Sequence, residues 1–385
     1  MERSSFQKSL ERIGKRSFAP GNSIQILKNG DSAFTEVFRA IEKAQRRVCL
    51  EYYIFHDDET GWGLAELLGR KSREGIEIYL IYDHLGCLGT TKRFWEFLRK
   101  HGVQVRAFHP PRLFYFSLYL HRDHRKLVVV DDAVAFTGGL NVGDEYRGIR
   151  KKKRTGWRDT GIRTQGPIVQ PMAMAFRESW RMCGGDALPV APSGMAKGAG
   201  AGEDVLLLPL FSSSRESMRS LRHLLQFSML SARQSICLTM AYFIPTREFL
   251  RLLVRAARRG VEVKIILPGR SDLRLVAYVS RTYYKTLCLA GVKLFHYQPR
   301  VLHAKTMIFD GIWSIVGSAN LDARSLNYNY ECGVGIWDAR VGKEMEEMFK
   351  QDLSDSRPVT LKEISDWPIH ERALGTVFSW FRSYL

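Results

Sequence analysis

The sequence predicts an α/β protein built from two copies of one unit, mixed sheets flanked by helices, packed as a bilobal molecule about a pseudo-two-fold axis. Three observations carry this expectation. First, His124-x-Lys126-x4-Asp131 recurs as His303-x-Lys305-x4-Asp310. Each copy runs on to a Gly (Gly138, Gly317) and to an Asn 17 positions past the His (Asn141, Asn320). One such pattern is a weak match, but two with the same downstream residues are not an accident. Second, a strand–helix–strand pattern at 50–83 returns at 238–268. Third, GGDALPVAPSGMAKGAGAGED at 184–204 has no apolar period and reads as a flexible linker between the copies.

Taken in order, the chain opens on MERSSFQKSLERIGKRSF, basic and amphipathic and without the apolar stretch of a secretory signal, so 1–21 reads as a basic arm. The first unit, 22–183, contains LEYYIF and IEIYLIYD as strands around the helix GWGLAELLGRKSREG. The second, 205–358, contains LTMAYFIP and VEVKIILPG around TREFLRLLVRAARRG. Gly75 and Gly260 stand where a helix closes before a strand. FLRKHGVQVRAF and TLCLAGVKLFHY repeat that scheme, and strands alternating with helices imply βαβ units. KLVVVDD and KTMIFDG are strand-forming runs, with Asp310-Gly311 as a hairpin turn. Long apolar strands in both units predict two sheets packed together with both motifs near the interface. The tail, 359–385, reads as an amphipathic helix capped by Ser365 or Asp366 with Pro368 in its first turn. Ile369, Leu374, Val377, Phe378, Phe381 and Leu385 form its apolar stripe, which either docks onto the core or meets a membrane with Trp367, Trp380 and Tyr384 as interfacial anchors.

Composition points to the partner. With 58 Lys+Arg against 40 Asp+Glu the net charge is +18, which favours a polyanion, either nucleic acid or an anionic membrane. RGIRKKKRTGWR at 147–158 carries seven basic residues in twelve, each worth about 1 kcal/mol at an anionic bilayer. RLFYFSLYL at 112–120 reads either as a buried strand or as an acyl channel or membrane-dipping loop before His124. The cysteines show no C-x-x-C pair, which fits a reducing compartment. No run of about 18 apolar residues occurs, so membrane attachment is expected to be peripheral.

The chemistry follows from strand geometry. Residues i and i+2 share a face, so His124 and Lys126 point into one pocket, as do His303 and Lys305. A buried His beside a Lys is costly unless an anion joins them, and a phosphodiester supplies it. One neutral imidazole can attack phosphorus, while the other donates a proton to the leaving oxygen and later acts as base. The lysines and the amides of Asn141 and Asn320 would stabilise equatorial charge. No metal or cofactor is required. Each His needs a carboxylate to orient it, and the candidates are Glu331, 28 residues past His303, and Asp159, in the comparable place after His124. Asp131 and Asp310 are expected to lock the pocket by hydrogen bonding.

These residues resemble the phospholipase D superfamily, named for paired HKD motifs, from about residue 22 to 350. EYYIFHDDETGWG, GGLN, SDLRLVAYVSRTYY and GSANLDARSLNYNYE look like its bacterial cardiolipin synthase branch. The resemblance implies two phospholipase D-like units and transfer of a phosphatidyl group from phosphatidylglycerol to a second lipid alcohol through a phosphohistidine. It also implies that His124 is the nucleophile and His303 the acid/base. The expected setting is an anionic phospholipid membrane, bound peripherally on the cytoplasmic side of a bacterial cell, with no nucleic-acid partner. A phospholipase D-type hydrolase is the nearest alternative, and a phosphodiesterase nuclease a more distant one. Many members carry two N-terminal transmembrane segments, which this sequence lacks, and its linker after Cys183 is unusually rich in Gly and Ala.

Overall fold

The computed structural model describes residues 3–110, 120–148, 156–190 and 204–380. In the first unit the strands are β1 (Ala19–Lys28), β2 (Arg47–Tyr52), β3 (Glu77–Asp83), β4 (Gln104–Phe108), β5 (Lys126–Val130), β6 (Val134–Gly138) and β7 (Thr160–Gln165). The second has β8 (Val205–Ser212), β9 (Ser235–Met240), β10 (Phe243–Ile244), β11 (Glu262–Pro268), β12 (Lys293–Tyr297), β13 (Lys305–Phe309), β14 (Trp313–Gly317), β15 (Leu321–Asp322), β16 (Glu331–Trp337) and β17 (Ser356–Pro358).

Fifteen of these strands form one mixed sheet, in the order β17-β12-β11-β9-β13-β14-β16-β8-β1-β7-β6-β5-β2-β3-β4. The order is a mirror image about the β8–β1 seam, because β2, β3, β4, β5, β6 and β7 match β9, β11, β12, β13, β14 and β16. Parallel neighbours such as β2–β3 and β9–β11 are joined by helices, as parallel strands require. Those helices are Glu59–Arg73 and Arg247–Arg258. Asp58 and Thr246 cap their first turns by accepting from the N–H groups of Gly61 and Phe249. Gly75 and Gly260 follow their last turns at φ +91° and +87°, the left-handed conformation that glycine adopts freely.

The expected packing of two sheets takes a particular form. The halves are joined edge to edge at the short, irregular β1–β8 pairing. They also close face to face over a common apolar core. That core draws Ile81, Leu127 and Val129 from the first unit, and Ile308, Val316 and Val334 from the second. β2, β5, β13 and β16 are buried along their whole length, and within the shared core the helices Val169–Met182 and Ala339–Ser354 pack on β2 and β5 and on β13 and β16 respectively.

Both termini pack on the second unit. The basic amphipathic arm contains a helix, Arg3–Gly14, that packs on the second unit. Phe6 and Leu10 are buried in the second unit's core, where Phe6 stacks on Phe227 at 5.2 Å and meets Trp337 at 5.2 Å. The tail is broken at Trp367-Pro368 into helices Leu361–Asp366 and Ile369–Ser379, with Pro368 itself at the cap position. Its apolar residues are divided between two faces. Trp367 and Phe378 pack on the core, whereas Ile369 (80% exposed), Leu374, Val377 and Trp380 (79% exposed) face outward. Phe381, Tyr384 and Leu385 lie outside the described residues, as do most of the linker, the basic run and the aromatic run before His124.

If the N-terminal helix belongs to the second unit's core, Phe6→Ala should destabilise the protein by about 3 kcal/mol. Denaturant unfolding followed by far-UV circular dichroism measures this. A change below about 0.5 kcal/mol, the range of surface substitutions, would return the helix to the status of a free arm.

Candidate active site

Each motif His lies just before a strand, held by a backbone bond to the opposite unit. His124 donates its N–H to the Tyr330 carbonyl at 2.9 Å, and His303 donates to the Arg158 carbonyl at 2.7 Å. The next residue on the strand contacted is Glu331 in one case and Asp159 in the other. Those carboxylates reach the imidazoles. His124 Nδ1 lies 3.0 and 3.1 Å from the two Glu331 oxygens, and His303 Nδ1 lies 2.7 Å from Asp159 Oδ2. Sequence order set Asp159 after His124 and Glu331 after His303; in space each carboxylate serves the other unit's His. With Nδ1 occupied, Nε2 is left to face a reactant.

The lysines share this burial. Lys126 Nζ donates to the His124 carbonyl at 2.6 Å, and Lys305 Nζ lies 2.8 Å from His303 Nδ1. Burial lowers Lys126 to about 7 and Lys305 to about 8; nearby Glu331 and Asp159 respectively pull the other way. Burial likewise depresses His124 to about 4, against the pull of Glu331, with Lys126 and Lys305 both adding to the fall. His303 is lowered by burial and then by Lys305. Burial alone would raise Glu331, but His124 and Lys126 hold it below its ordinary value. That Lys305 acts on both His124 and Lys126 marks the two motifs as one electrostatic site. The two lysines and two imidazoles form a donor cluster, held by Glu331 and Asp159, that suits a phosphate anion.

Aromatic side chains wall the pocket. Tyr53 stands 5.1 Å from the His124 ring and 5.2 Å from Lys126 Nζ, while Tyr146 and Trp157 each lie 5.3 Å from His303. Tyr242 lies 6.2 Å from His303 and donates to Asp272 at 2.5 Å. None of these was singled out as a site residue from sequence, where they read as strand or loop aromatics.

The asparagines are buried but not equivalent. Asn141 accepts from the Ile54 N–H at 3.1 Å and donates to Tyr146 Oη at 3.0 Å, so its amide is largely engaged. Asn320 Oδ1 has no partner among the described residues. Asp131 and Asp310 stand elsewhere. Each follows its strand, five residues beyond the Lys and therefore roughly 16 Å away. There Asp131 accepts from the N–H groups of Gln45, Arg46 and Arg47, all at 2.8 Å. Asp310 accepts from Arg233, Gln234 and Ser235 at 2.8–3.1 Å. These aspartates tie the β5–β6 and β13–β14 turns to the start of the neighbouring strand. This corrects their expected place at the pocket: the motif's third letter belongs to the scaffold at the far end of the strand.

The glycines of the repeat are explained by crowding. A Cβ at Gly138 would come 2.5 Å from the Thr160 carbonyl, and one at Gly317 2.6 Å from that of Cys332. The next position differs between the copies. Ser318 donates to Glu331, while a Cβ at Gly139 would lie 2.1 Å from Asp159 Oδ1. A long carboxylate thus comes with a serine, and a short one with a glycine. Gly139→Ala should push Asp159 off His303 and lower kcat about 10–100-fold with little change in melting temperature. Steady-state kinetics and a thermal melt on one preparation check this; unaltered kcat would mean that Asp159 does not position His303.

Comparison with known proteins agrees with this geometry. The family model "Cardiolipin synthase, PLD-like domain" matches residues 37–176 and 227–353. The chain is 33% identical over 372 residues to a cardiolipin synthase of a Geobacillus species, spanning 95% of this chain and 73% of that protein. It is 32% identical to cardiolipin synthase A of Pseudomonas putida, over 93% of this chain and 74% of the relative. In fold it resembles the crystal structure of a phosphatidylserine synthase from Haemophilus influenzae, with a TM-score of 0.73, 14% identity, and coverage of 99% of this chain and 100% of that one. The chain belongs to the cardiolipin synthase branch of the phospholipase D superfamily, the phosphatidyltransferases with a duplicated phospholipase D-like unit.

Proposed function

We propose that the protein forms cardiolipin by moving a phosphatidyl group from phosphatidylglycerol to the hydroxyl of a second phospholipid, through a phosphohistidine on His124. The observation that carries this reading is the crosswise pairing of His124 with Glu331 and His303 with Asp159, which leaves two imidazoles facing one buried cationic pocket. His124, depressed to about 4, is a neutral base at physiological pH and a competent nucleophile. Its Nε2 attacks phosphorus, the bond to the glycerol oxygen breaks, and His303 donates the proton that oxygen needs. The phosphodiester's negative charge favours the protonated form of His303 at that moment. The acceptor hydroxyl then gives its proton to His303 and attacks phosphorus, breaking the P–N bond and restoring both imidazoles. Lys126, Lys305 and Asn320 would hold the equatorial oxygens, and Asn141 would hold Tyr146. Asp131 and Asp310 serve only the hairpins.

The units are taken as 22–183 and 205–358, and the two stretches matched by the family model fall within them. No helix among the described residues is long and apolar enough to cross a membrane. The +18 net charge and the outward Ile369, Leu374, Val377 and Trp380 support peripheral binding to an anionic phospholipid surface on the cytoplasmic side. A nucleic-acid substrate is not part of this reading.

Purified protein with phosphatidylglycerol vesicles should yield cardiolipin and glycerol. Phosphatidic acid alone would instead identify a hydrolase, and DNA cleavage without lipid turnover a nuclease. His124→Ala and His303→Ala should each cost at least about 1,000-fold in kcat, and either variant keeping near-normal turnover would end the two-histidine mechanism. A lysine is cationic below its pKa, and burial brings Lys126 to about 7 and Lys305 to about 8. Hence kcat/KM, which reports the free enzyme, should fall as pH rises through this range. A profile flat from pH 6 to 9 would contradict the role given to the lysines.

A further inference from the structure

The pseudo-two-fold symmetry breaks after β11. In the first unit β3 is followed by a short turn and the helix Lys92–Lys100. In the second, β11 is followed by GRSDL and an additional helix, Arg274–Arg281, before the helix Tyr284–Leu289. Between that additional helix, the end of β11 and the helix Ile369–Ser379 lies a cavity of about 550 Å³. Its wall includes Arg270, Arg274 and Arg281 against a single acid, Glu371. Glu371 is taken by Arg281, whose guanidinium also lies 4.9 Å over the Trp367 ring. Arg270 and Arg274 have no partner among the described residues. Two exposed arginines therefore line the cavity with no acidic partner of their own among the described residues, and Ser271, whose hydroxyl donates to the Leu273 carbonyl at 3.1 Å, lines it beside them.

The cavity shares a wall with the catalytic pocket. Tyr242, beside His303, is hydrogen-bonded to Asp272. The residues flanking Tyr242 (Ala241 and Phe243), and Ser271 next to Asp272, line the cavity on the other side. Exposed apolar side chains stand on the two helices that bound the cavity. Leu273 and Leu275 flank Arg274 and are exposed, and Ile369, Leu374, Val377 and Trp380 are exposed on the helix packed against it. A ligand suited to this place has an anionic phosphate for the arginines and apolar chains for these exposed side chains. The catalytic pocket accounts for the donor's phosphodiester only, and a phospholipid acceptor brings a second phosphate that must be held within reach of phosphorus.

We propose that this cavity is the subsite for the phosphate of the acceptor phospholipid, an inference that rests on the transferase reading above. Its guanidinium groups hold the acceptor headgroup across the Tyr242–Asp272 wall, so that its hydroxyl reaches the phosphohistidine ahead of water. Binding of inorganic phosphate shares the same chemistry and is separated by the test.

The full-length protein is assayed on phosphatidylglycerol vesicles containing ethanol, a competing acceptor without phosphate, with cardiolipin and phosphatidylethanol measured together. In the Arg270→Gln/Arg274→Gln variant the ratio of cardiolipin to phosphatidylethanol should fall about ten-fold, from loss of charge-assisted hydrogen bonds. Ala277→Trp, which fills the cavity without altering charge, should lower the ratio in the same direction. Added inorganic phosphate should depress the ratio in the wild-type protein and have little effect in the double variant. An unchanged ratio in both variants, with normal wild-type transfer, overturns the subsite and leaves the transferase reading intact. Phosphate sensitivity that the arginine substitutions abolish without moving the ratio would identify a free-phosphate site, and also overturns it. If the wild type makes neither transfer product, the transferase reading fails and the subsite falls with it.

Discussion

The two buried imidazole–carboxylate pairs hold the rest of the structure to account. An isolated carboxylate or imidazolium in the space between the sheets would be costly, and the cost is offset only when the partner is present with good geometry. Because each pair draws one member from each unit, neither half can bury its own polar residue without the other. The shared apolar core and the β1–β8 seam bring the halves together, and the pairs specify how they must meet. A slip of one residue in either contacting strand would turn Glu331 or Asp159 to the opposite face and leave a charge unmatched.

The same constraint explains details that otherwise look arbitrary. Gly138 and Gly317 are needed because the backbones carrying the carboxylates pass too close for a Cβ. Gly139 gives way to Asp159, and Ser318 reaches Glu331. The aspartates of the motif act at a distance. By gathering three N–H groups each, they fix the turn at one end of β5 and β13, and so the register that places the lysines at the other end. The repeated sequence pattern combines a site and its scaffold in one short string, which is why its three letters need not share one function.

Much of this was legible in the sequence, because it rests on local rules. The helices at Glu59–Arg73 and Arg247–Arg258, their closing glycines, the strands around them and the His-Lys alternation all follow from period and turn chemistry. Asp159 and Glu331 were found as residue types that an imidazole needs. Which His each would serve was hidden, since pairing across some 144 and 207 positions of chain depends on docking, not on local order. The docking of the N-terminal helix is hidden for a similar reason: Phe6 and Leu10 are isolated apolar residues in a basic segment, and only the second unit's surface gives them a place. In the tail a single stripe was expected, but Gly375 lets the helix press against the Tyr278 carbonyl and turns Phe378 inward. Cavities formed between three elements leave no periodic trace at all.

The crossed pairing also bears on the order in which a ribosome delivers the chain. When the first unit has emerged as far as residue 183, His124 and Lys126 are already in place on their strand, but the carboxylate that turns the imidazole is still 148 residues from being made. A partial product therefore has a motif but no oriented imidazole. Catalytic competence arrives only as β16 slots beside β8, late in synthesis, when the walls that enclose a lipid are nearly complete. A phosphatidyltransferase assembled this way is kept inert until both units are made.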